Sequence, residues 1–124
     1  WHPVSRKVMV HADRTQLNRL FTNLLQNAVE ATVNNDDRVV KIDEVFENGS
    51  VIVSVSDNGQ GIPEQMRNKI FTPNFTTKTS GTGLGLAMSK GIVEQAKGRI
   101  WFETREGEGT TFYVELALAT EQVN

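Results

Sequence analysis

Three glycines stand on alternate positions, Gly81, Gly83 and Gly85, immediately before a segment whose apolar residues have helical spacing. Glycines let a ligand approach the backbone closely, and the free N–H groups at the start of a helix attract anions. The spacing G-x-G-x-G is not the G-x-G-x-x-G of dinucleotide-binding folds, and the chain contains no G-x-x-x-x-G-K-[ST] string. The stretch therefore indicates either a phosphate site of another kind or a spacer without a ligand, and by itself favours neither.

A second group of polar residues falls on one flank of a predicted helix. Asn23, Asn27 and Glu30 lie within about 60° of one another on a helical wheel, beside an apolar stripe. Amide oxygens are suitable ligands for Mg²⁺, which shares its coordination shell with phosphates and water. The two asparagines could equally bond each other or nearby backbone, and Glu30 could be an ordinary solvated charge.

A third feature is the segment "VSVSDNGQGIP", in which Asp57 follows a β-rich run and precedes Gly59 and Gly61. An Asp-Asn-Gly sequence is typical of a turn with no other role. A carboxylate in a partly apolar pocket can also accept a hydrogen bond from an exocyclic amine such as that of adenine. The segment thus indicates a plain turn or a base-binding site.

Helices and strands that could position these groups are indicated along the whole chain. Apolar spacing, capping residues and β-rich runs predict them. The predicted elements are a short strand at 7–12, a helix at 13–33, two strands around Asn48-Gly49, a short helical turn from Pro63, a helix at 84–97 ending at Gly98, and two strands at 99–104 and 109–118. Residues 72–82 are rich in Thr, Ser, Pro, Asn and Gly, which predicts a mobile loop.

Hairpin-connected strands with helices between the pairs predict an α+β two-layer sandwich, with helices on one face of a mixed, mostly antiparallel sheet. The length of 124 residues predicts a single domain, residues 1–124. With a formal net charge of −2 and no cysteine, we expect no nucleic-acid partner, disulfide or thiolate metal site. No apolar run approaches the ~18 residues of a membrane span, so we expect a soluble domain without direct membrane contact.

Five segments in order resemble the conserved boxes of sensor histidine kinases. These are "DRTQLNRLFTNLLQNAVEA", "DNGQGIP", "IFTPNFTTK", "GTGLGLA" and "GEGTTFYVEL", which together span about residues 11–117. They are similar to the N box, the first glycine box, the F box, the second glycine box and the closing strand. The resemblance implies the catalytic and ATP-binding domain with the Bergerat fold, which gyrase-type, chaperone-type and mismatch-repair ATPases share.

The resemblance also implies roles for individual residues around ATP and Mg²⁺. Asn27 would be the Mg²⁺ ligand and Asn23 its neighbour on the phosphate side, while Asp57 would bind the adenine amino group. The base would lie against Gly59, Gly61 and Ile62, and Thr110 or Thr111 would support a water network beneath it. The segment 72–82 would be the ATP lid, with Phe71 and Phe75 packing it. The phosphates would be covered by Lys78, Gly81, Thr82, Gly83, Leu84, Gly85 and Leu86.

The implied activity is transfer of the γ-phosphoryl group to a histidine on a separate dimerisation domain of the same protein, with a response regulator downstream. Neither His2 nor His11 lies in such a helical segment. We expect this chain to be cytoplasmic and monomeric when isolated, in a parent protein that membrane segments could anchor.

Three departures from the family pattern bear on these roles. Glu30 stands where many members have Lys or Arg, Asn74 precedes Phe75 where two aromatics are common, and Ala31 replaces an aromatic beside the base. The resemblance then implies Lys78 as the nearest candidate for a positive charge on the phosphates.

Three alternative functions stay open. The first is a hydrolytic ATPase of the same superfamily. Such relatives generally carry a glutamate one turn before the metal-binding asparagine, and this chain has Asn23 there. The others are a serine-directed kinase of the same superfamily and a nucleotide-binding module without catalysis.

Overall fold

The computed structural model of the chain describes residues 14–72 and 85–118. Two α-helices, four strands and one 3-10 turn follow one another within these ranges. They are α1 (Arg14–Ala31), β1 (Val40–Glu47), β2 (Ser50–Asp57), a 3-10 turn (Glu64–Met66), α2 (Gly85–Gln95), β3 (Arg99–Arg105) and β4 (Gly109–Ala117). The two helices, β3 and β4 lie within two residues of their predicted bounds, β1 and β2 flank Asn48-Gly49 as predicted, and the helical turn after Pro63 is a single 3-10 turn. The strand predicted at 7–12 lies outside the described residues.

The four strands form one antiparallel sheet in the order β1-β2-β4-β3. The β1–β2 hairpin turns at Asn48 and Gly49, whose φ angles of 46° and 81° both lie in the left-handed region. Two such residues between paired strands are the tight hairpin turn that an Asn-Gly pair predicts. The two-layer α+β sandwich is therefore confirmed, and the sheet is antiparallel throughout its described strands.

The hydrophobic core lies between the helices and one face of the sheet. Alternate residues of β4 are buried, and the residues between them are half-buried or exposed, as expected for a sheet covered on one side. The buried apolar side chains come from both layers: Leu20, Leu24, Ala28, Ile92 and Val93 from the helices, and Val51, Val55, Phe112, Val114 and Leu116 from β2 and β4. The opposite face carries the stacked rings of Trp101 and Tyr113, 5.3 Å apart.

The end of α2 differs from its prediction in one respect. Gly98 is predicted to end the helix, but the residue in the left-handed conformation at this end is Lys97, with a φ of 59°. The Gly98 N–H donates to the Val93 carbonyl at 2.9 Å, which completes a Schellman motif. Gly98 is required for another reason, because a Cβ there would overlap the Glu115 carbonyl oxygen of β4.

No helix within residues 14–72 and 85–118 is long and apolar enough to cross a membrane.

Candidate functional site

The helix α1 lies against two parts of the predicted site. Near its middle, the Asn23 amide nitrogen makes a long hydrogen bond of 3.5 Å to the Gly85 carbonyl, at the first residue of α2. At its end, the backbone of Ala31 contacts Gly59 so closely that a Cβ on Gly59 would overlap the Ala31 carbonyl oxygen. Residues 23 and 31 are roughly 12 Å apart along a helix. Along this length α1 carries the half-buried Asn23 and Asn27 and the exposed Glu30.

The turn after β2 contains the predicted base-binding residues. Asp57 is the last residue of β2, and its Oδ1 accepts a hydrogen bond of 2.9 Å from the Gly59 N–H. An aspartate that bonds the backbone two residues on is a common turn-forming device. Asp-Asn-Gly therefore forms a turn, as the first of its two interpretations predicts. The same carboxylate belongs to the residue that the sequence predicts to bind the base.

The β3–β4 hairpin holds the same turn from the other side. Gly107 N–H donates to the Gln60 carbonyl at 2.7 Å, and Ile62 N–H donates to the Thr104 Oγ1 at 2.9 Å. Gly61 has a φ of 76°, and a Cβ there would overlap the Arg105 carbonyl oxygen. Glycine is thus required at position 61 by its conformation as well as by packing.

Thr110 lies directly opposite Asp57 in the pairing of β2 and β4. Its side chain is buried on the helix-covered face, and its Oγ1 lies 2.8 Å from the Thr104 Oγ1. Thr111 faces the other side of the sheet, where its Oγ1 lies 2.9 Å from the Ser56 Oγ. Of the two threonines left open by the sequence, Thr110 is the one beside Asp57.

The connection between α1 and β1 is bound to this turn by Asn58. Its Oδ1 accepts from the Val39 N–H at 2.9 Å, and its Nδ2 donates to the Asp37 carbonyl at 2.7 Å. The Asn58 carbonyl in turn accepts from the Asn35 side chain at 2.7 Å. Asn58 therefore fixes the backbone on which Asp57 and Gly59 lie.

Several predicted site residues lie outside the described part of the chain: Phe75, Lys78, Gly81, Thr82, Gly83 and Leu84, together with most of the predicted lid at 72–82. Gly85 and Leu86 lie within it, as the first two residues of α2. Leu86 packs against the hydrophobic core, whereas a Cβ on Gly85 would meet no atom within 4 Å. Packing thus does not require a glycine at position 85. Phe71, just before the lid, packs against Phe102 and Phe112 with ring centroids 6.0 and 6.3 Å away.

The polar groups of the site are compatible with a bound magnesium nucleotide. No group of three or more His, Cys, Asp or Glu side chains capable of holding a metal occurs among residues 14–72 and 85–118. Mg²⁺ often takes one or two protein oxygens and completes its shell with phosphates and water. The half-buried amides of Asn23 and Asn27 on α1 supply oxygens of that kind.

Comparison with known proteins agrees with this geometry. The family model described as "Histidine kinase-, DNA gyrase B-, and HSP90-like ATPase" matches residues 12–120. A nucleotide-free structure of the catalytic domain of histidine kinase ThkA superposes with a TM-score of 0.76 at 46% sequence identity, covering 87% of this chain and 70% of that one. The chain belongs to the histidine kinase family of ATP-binding catalytic domains.

Longer relatives contain a domain similar to this one. Sensor histidine kinase ZraS of Escherichia coli (strain K12) is 41% identical over 103 residues, which are 83% of this chain and 22% of ZraS. Sporulation kinase E of Bacillus subtilis (strain 168) is 36% identical over 107 residues, 86% of this chain and 14% of that protein. Full-length ShkA in complex with AMPPNP superposes with a TM-score of 0.78 at 28% identity, covering 94% of this chain and 24% of ShkA. The catalytic domain thus spans less than a quarter of each of these three.

The sequence did not indicate the roles of two residues that hold the turn after β2 in this catalytic domain. The sequence indicated only that Thr104 belongs to a strand, although the close spacing of the predicted strands at 99–104 and 109–118 already placed it near Thr110. The sequence indicated Asn58 only as a turn residue. Its bonds to residues 37 and 39 depend on the path of the α1–β1 connection, which no local sequence pattern indicates.

Proposed function

We propose that this catalytic domain binds Mg²⁺-ATP and donates the γ-phosphoryl group to a histidine on a separate dimerisation domain. The observation that carries the proposal is that α1 lies against both the base-side turn at Gly59 and the start of α2 at Gly85. A nucleotide lying along α1 would have its base beside Asp57 and its phosphates beside Asn23, Asn27 and the N-terminus of α2. Backbone N–H groups at such a terminus favour an anion.

Each group has a defined part in this proposal. Asp57 accepts a hydrogen bond from the adenine amino group, and Gly59, Gly61 and Ile62 form the backbone against which the base lies. Asn27 is the metal ligand, and Mg²⁺, when bound, neutralises charge on the phosphate oxygens. The glycine at position 85 leaves space for a phosphate beside the backbone. Lys78 would supply positive charge to the same phosphates.

Phosphoryl transfer needs little covalent chemistry from the protein, because positioning and charge neutralisation supply most of the catalysis. Asn23 supports transfer over hydrolysis, since an amide cannot take a proton from water as a carboxylate can. The acceptor is then a group that another domain brings to the site. A response regulator would receive the phosphoryl group afterwards.

Labelled ATP and an added fragment carrying a histidine kinase dimerisation helix test the proposal. We expect label on a histidine of the fragment, recognised because it is lost in acid and kept in base. Steady phosphate release without labelled fragment would indicate a hydrolytic ATPase instead. Acid-stable label would indicate a serine-directed kinase, and ATP binding without turnover a nucleotide-binding module.

The metal assignment has its own test. Asn27→Ala should remove most of the dependence of ATP affinity on Mg²⁺, because the proposed protein ligand to the metal is lost. Calorimetric titrations with and without Mg²⁺ measure this dependence. An unchanged Mg²⁺ effect in the variant would contradict the role of Asn27.

A further inference from the structure

Thr104 joins three separate parts of the base-side region through a single hydroxyl group. Its Oγ1 accepts from the Ile62 N–H at 2.9 Å, lies 2.8 Å from the Thr110 Oγ1, and donates to the Gly109 carbonyl at 3.2 Å. These three partners belong to the turn after β2 and to the first two residues of β4. Thr104 itself lies on β3, directly opposite Thr110.

The Thr104 hydroxyl has only one proton to donate, which limits how Thr110 can form hydrogen bonds. A backbone N–H can only donate, so the Thr104 oxygen accepts from Ile62 and has one proton left to give. When that proton goes to the Gly109 carbonyl, Thr110 must donate to Thr104 and presents lone pairs to its surroundings. When it goes to Thr110, the Thr110 proton is released for another acceptor. Thr104 therefore decides which hydrogen-bonding character Thr110 presents.

Thr110 is buried and pairs with Asp57 in the sheet, and Ile62 lies in the connection that follows Asp57. A change in the Thr104 hydroxyl thus reaches both sides of the proposed base site. The neighbouring attachments of the turn to the hairpin, at Gln60 and Gly61, use backbone atoms of residues 105 and 107 and do not involve the Thr104 side chain.

We infer that Thr104 is a positioning residue for nucleotide base recognition, acting by fixing Ile62 and orienting the hydroxyl of Thr110. This inference rests on the proposed ATP-binding function. It assigns to Thr104 no direct contact with the nucleotide. Its effect should therefore appear in the binding of the base and be absent from the binding of the phosphates.

Calorimetric titrations of the 124-residue chain with ATP and with inorganic tripolyphosphate, both with Mg²⁺, test the inference. Thr104→Val keeps the shape and removes all three hydrogen bonds of the hydroxyl, and we expect ATP affinity to fall about tenfold or more, as the loss of these bonds implies. Affinity for tripolyphosphate should stay within about twofold. Thr104→Ser restores the hydroxyl and should recover most of the ATP affinity. Thr111→Val is the matched control, because the Thr111 hydroxyl bonds Ser56 on the opposite face of the sheet.

Wild-type ATP affinity in Thr104→Val would overturn the inference while leaving the proposed function intact. An equal loss of affinity for ATP and tripolyphosphate would also overturn it, since that result indicates a general structural effect. If Thr104→Val does not fold, the smaller Thr104→Ala is read by the same criteria. A wild-type chain that binds no ATP would contradict the proposed function and this inference with it.

Discussion

At the scale of single residues, the turn after β2 depends on two glycines for different physical reasons. Gly61 has a positive φ and also lies against the Arg105 carbonyl, whereas Gly59 is required by the contact with Ala31 alone. Gly91, in the middle of α2, has neither constraint, because a Cβ there would meet no atom within 4 Å. Alanine substitutions at Gly59 and Gly91 therefore separate the packing role of Gly59 from the general effect of a glycine on the stability of the folded chain.

Gly59→Ala should destabilise the domain by about 1–3 kcal/mol, because the added methyl group forces the turn and the end of α1 apart. ATP affinity should fall as well, since Asp57 moves with the turn. Urea denaturation and calorimetry measure the two effects. The control Gly91→Ala should stabilise the domain by about 0.5–1 kcal/mol, since alanine loses less backbone freedom than glycine in a helix. Equal stabilities of the two variants would contradict the close contact at Gly59.

At the scale of secondary-structure elements, polar side chains connect elements that the sheet and helices alone would leave independent. Asn58 binds the α1–β1 connection to the end of β2, and Thr104 binds β3 to the turn after β2. On the outer face, the Arg99 side chain pairs with Glu115 at 2.6 Å and lies over the Trp101 ring. The side facing the proposed nucleotide thus depends on hydrogen bonds of uncharged side chains, exposed at Asn58 and half-buried at Thr104, while the outer face carries charges and aromatic rings.

Asn58→Ala should lower the free energy of unfolding by about 0.5–1.5 kcal/mol, because the exposed hydrogen bonds to the backbone of residues 37 and 39 are lost and water replaces them only in part. The midpoint of urea denaturation measures the change. Asn34→Ala is the control, since Asn34 is exposed in the same connection and its side chain makes no hydrogen bond within the described residues. If both variants unfold at the wild-type midpoint, Asn58 does not hold this connection.

Tyr113 offers a spectroscopic test of the outer face. Burial, the charge of Glu103 and a hydrogen bond to Glu103 all raise the pKa of the Tyr113 phenol above its ordinary value of about 10. The chain has one tyrosine, so phenolate absorbance reports this group alone. We expect a titration midpoint above that of a free tyrosine, and a lower midpoint in Glu103→Gln. Coincident titration curves for the two proteins would contradict the interaction.

The same shift has a consequence for stability. Because the folded state holds the phenol proton more tightly than the unfolded state, the stabilisation is fully present below about pH 10 and is lost as the pH rises through the raised pKa. As the pH rises from neutral through the raised pKa of Tyr113, the free energy of unfolding should therefore fall less in Tyr113→Phe than in the wild type. Denaturation at a series of pH values measures this difference. Parallel losses in the two proteins would indicate that Tyr113 does not contribute.

At the scale of the whole molecule, the order of elements and the layer arrangement could be predicted from the sequence. The apolar spacing of α1 and the Asn48-Gly49 turn are local signals, and the structure follows both. Contacts between segments far apart in the sequence could not be predicted from such local signals. The bonds of Thr104 to Ile62 and of Asn58 to residues 37 and 39 join positions 19 to 42 residues apart, and no periodic pattern records them.

The most direct test of the central claim, that ATP binds along α1 with its base at Asp57, is calorimetric titration of the wild type and of Asp57→Asn. The asparagine keeps an oxygen that can accept from Gly59 but loses the charge, so the turn should persist while the adenine amine loses its charged acceptor. We expect saturable ATP binding by the wild type and an affinity at least about tenfold lower in Asp57→Asn. Asp43→Asn, exposed on β1, should bind as the wild type does. Equal ATP affinities for the wild type and Asp57→Asn would contradict the claim.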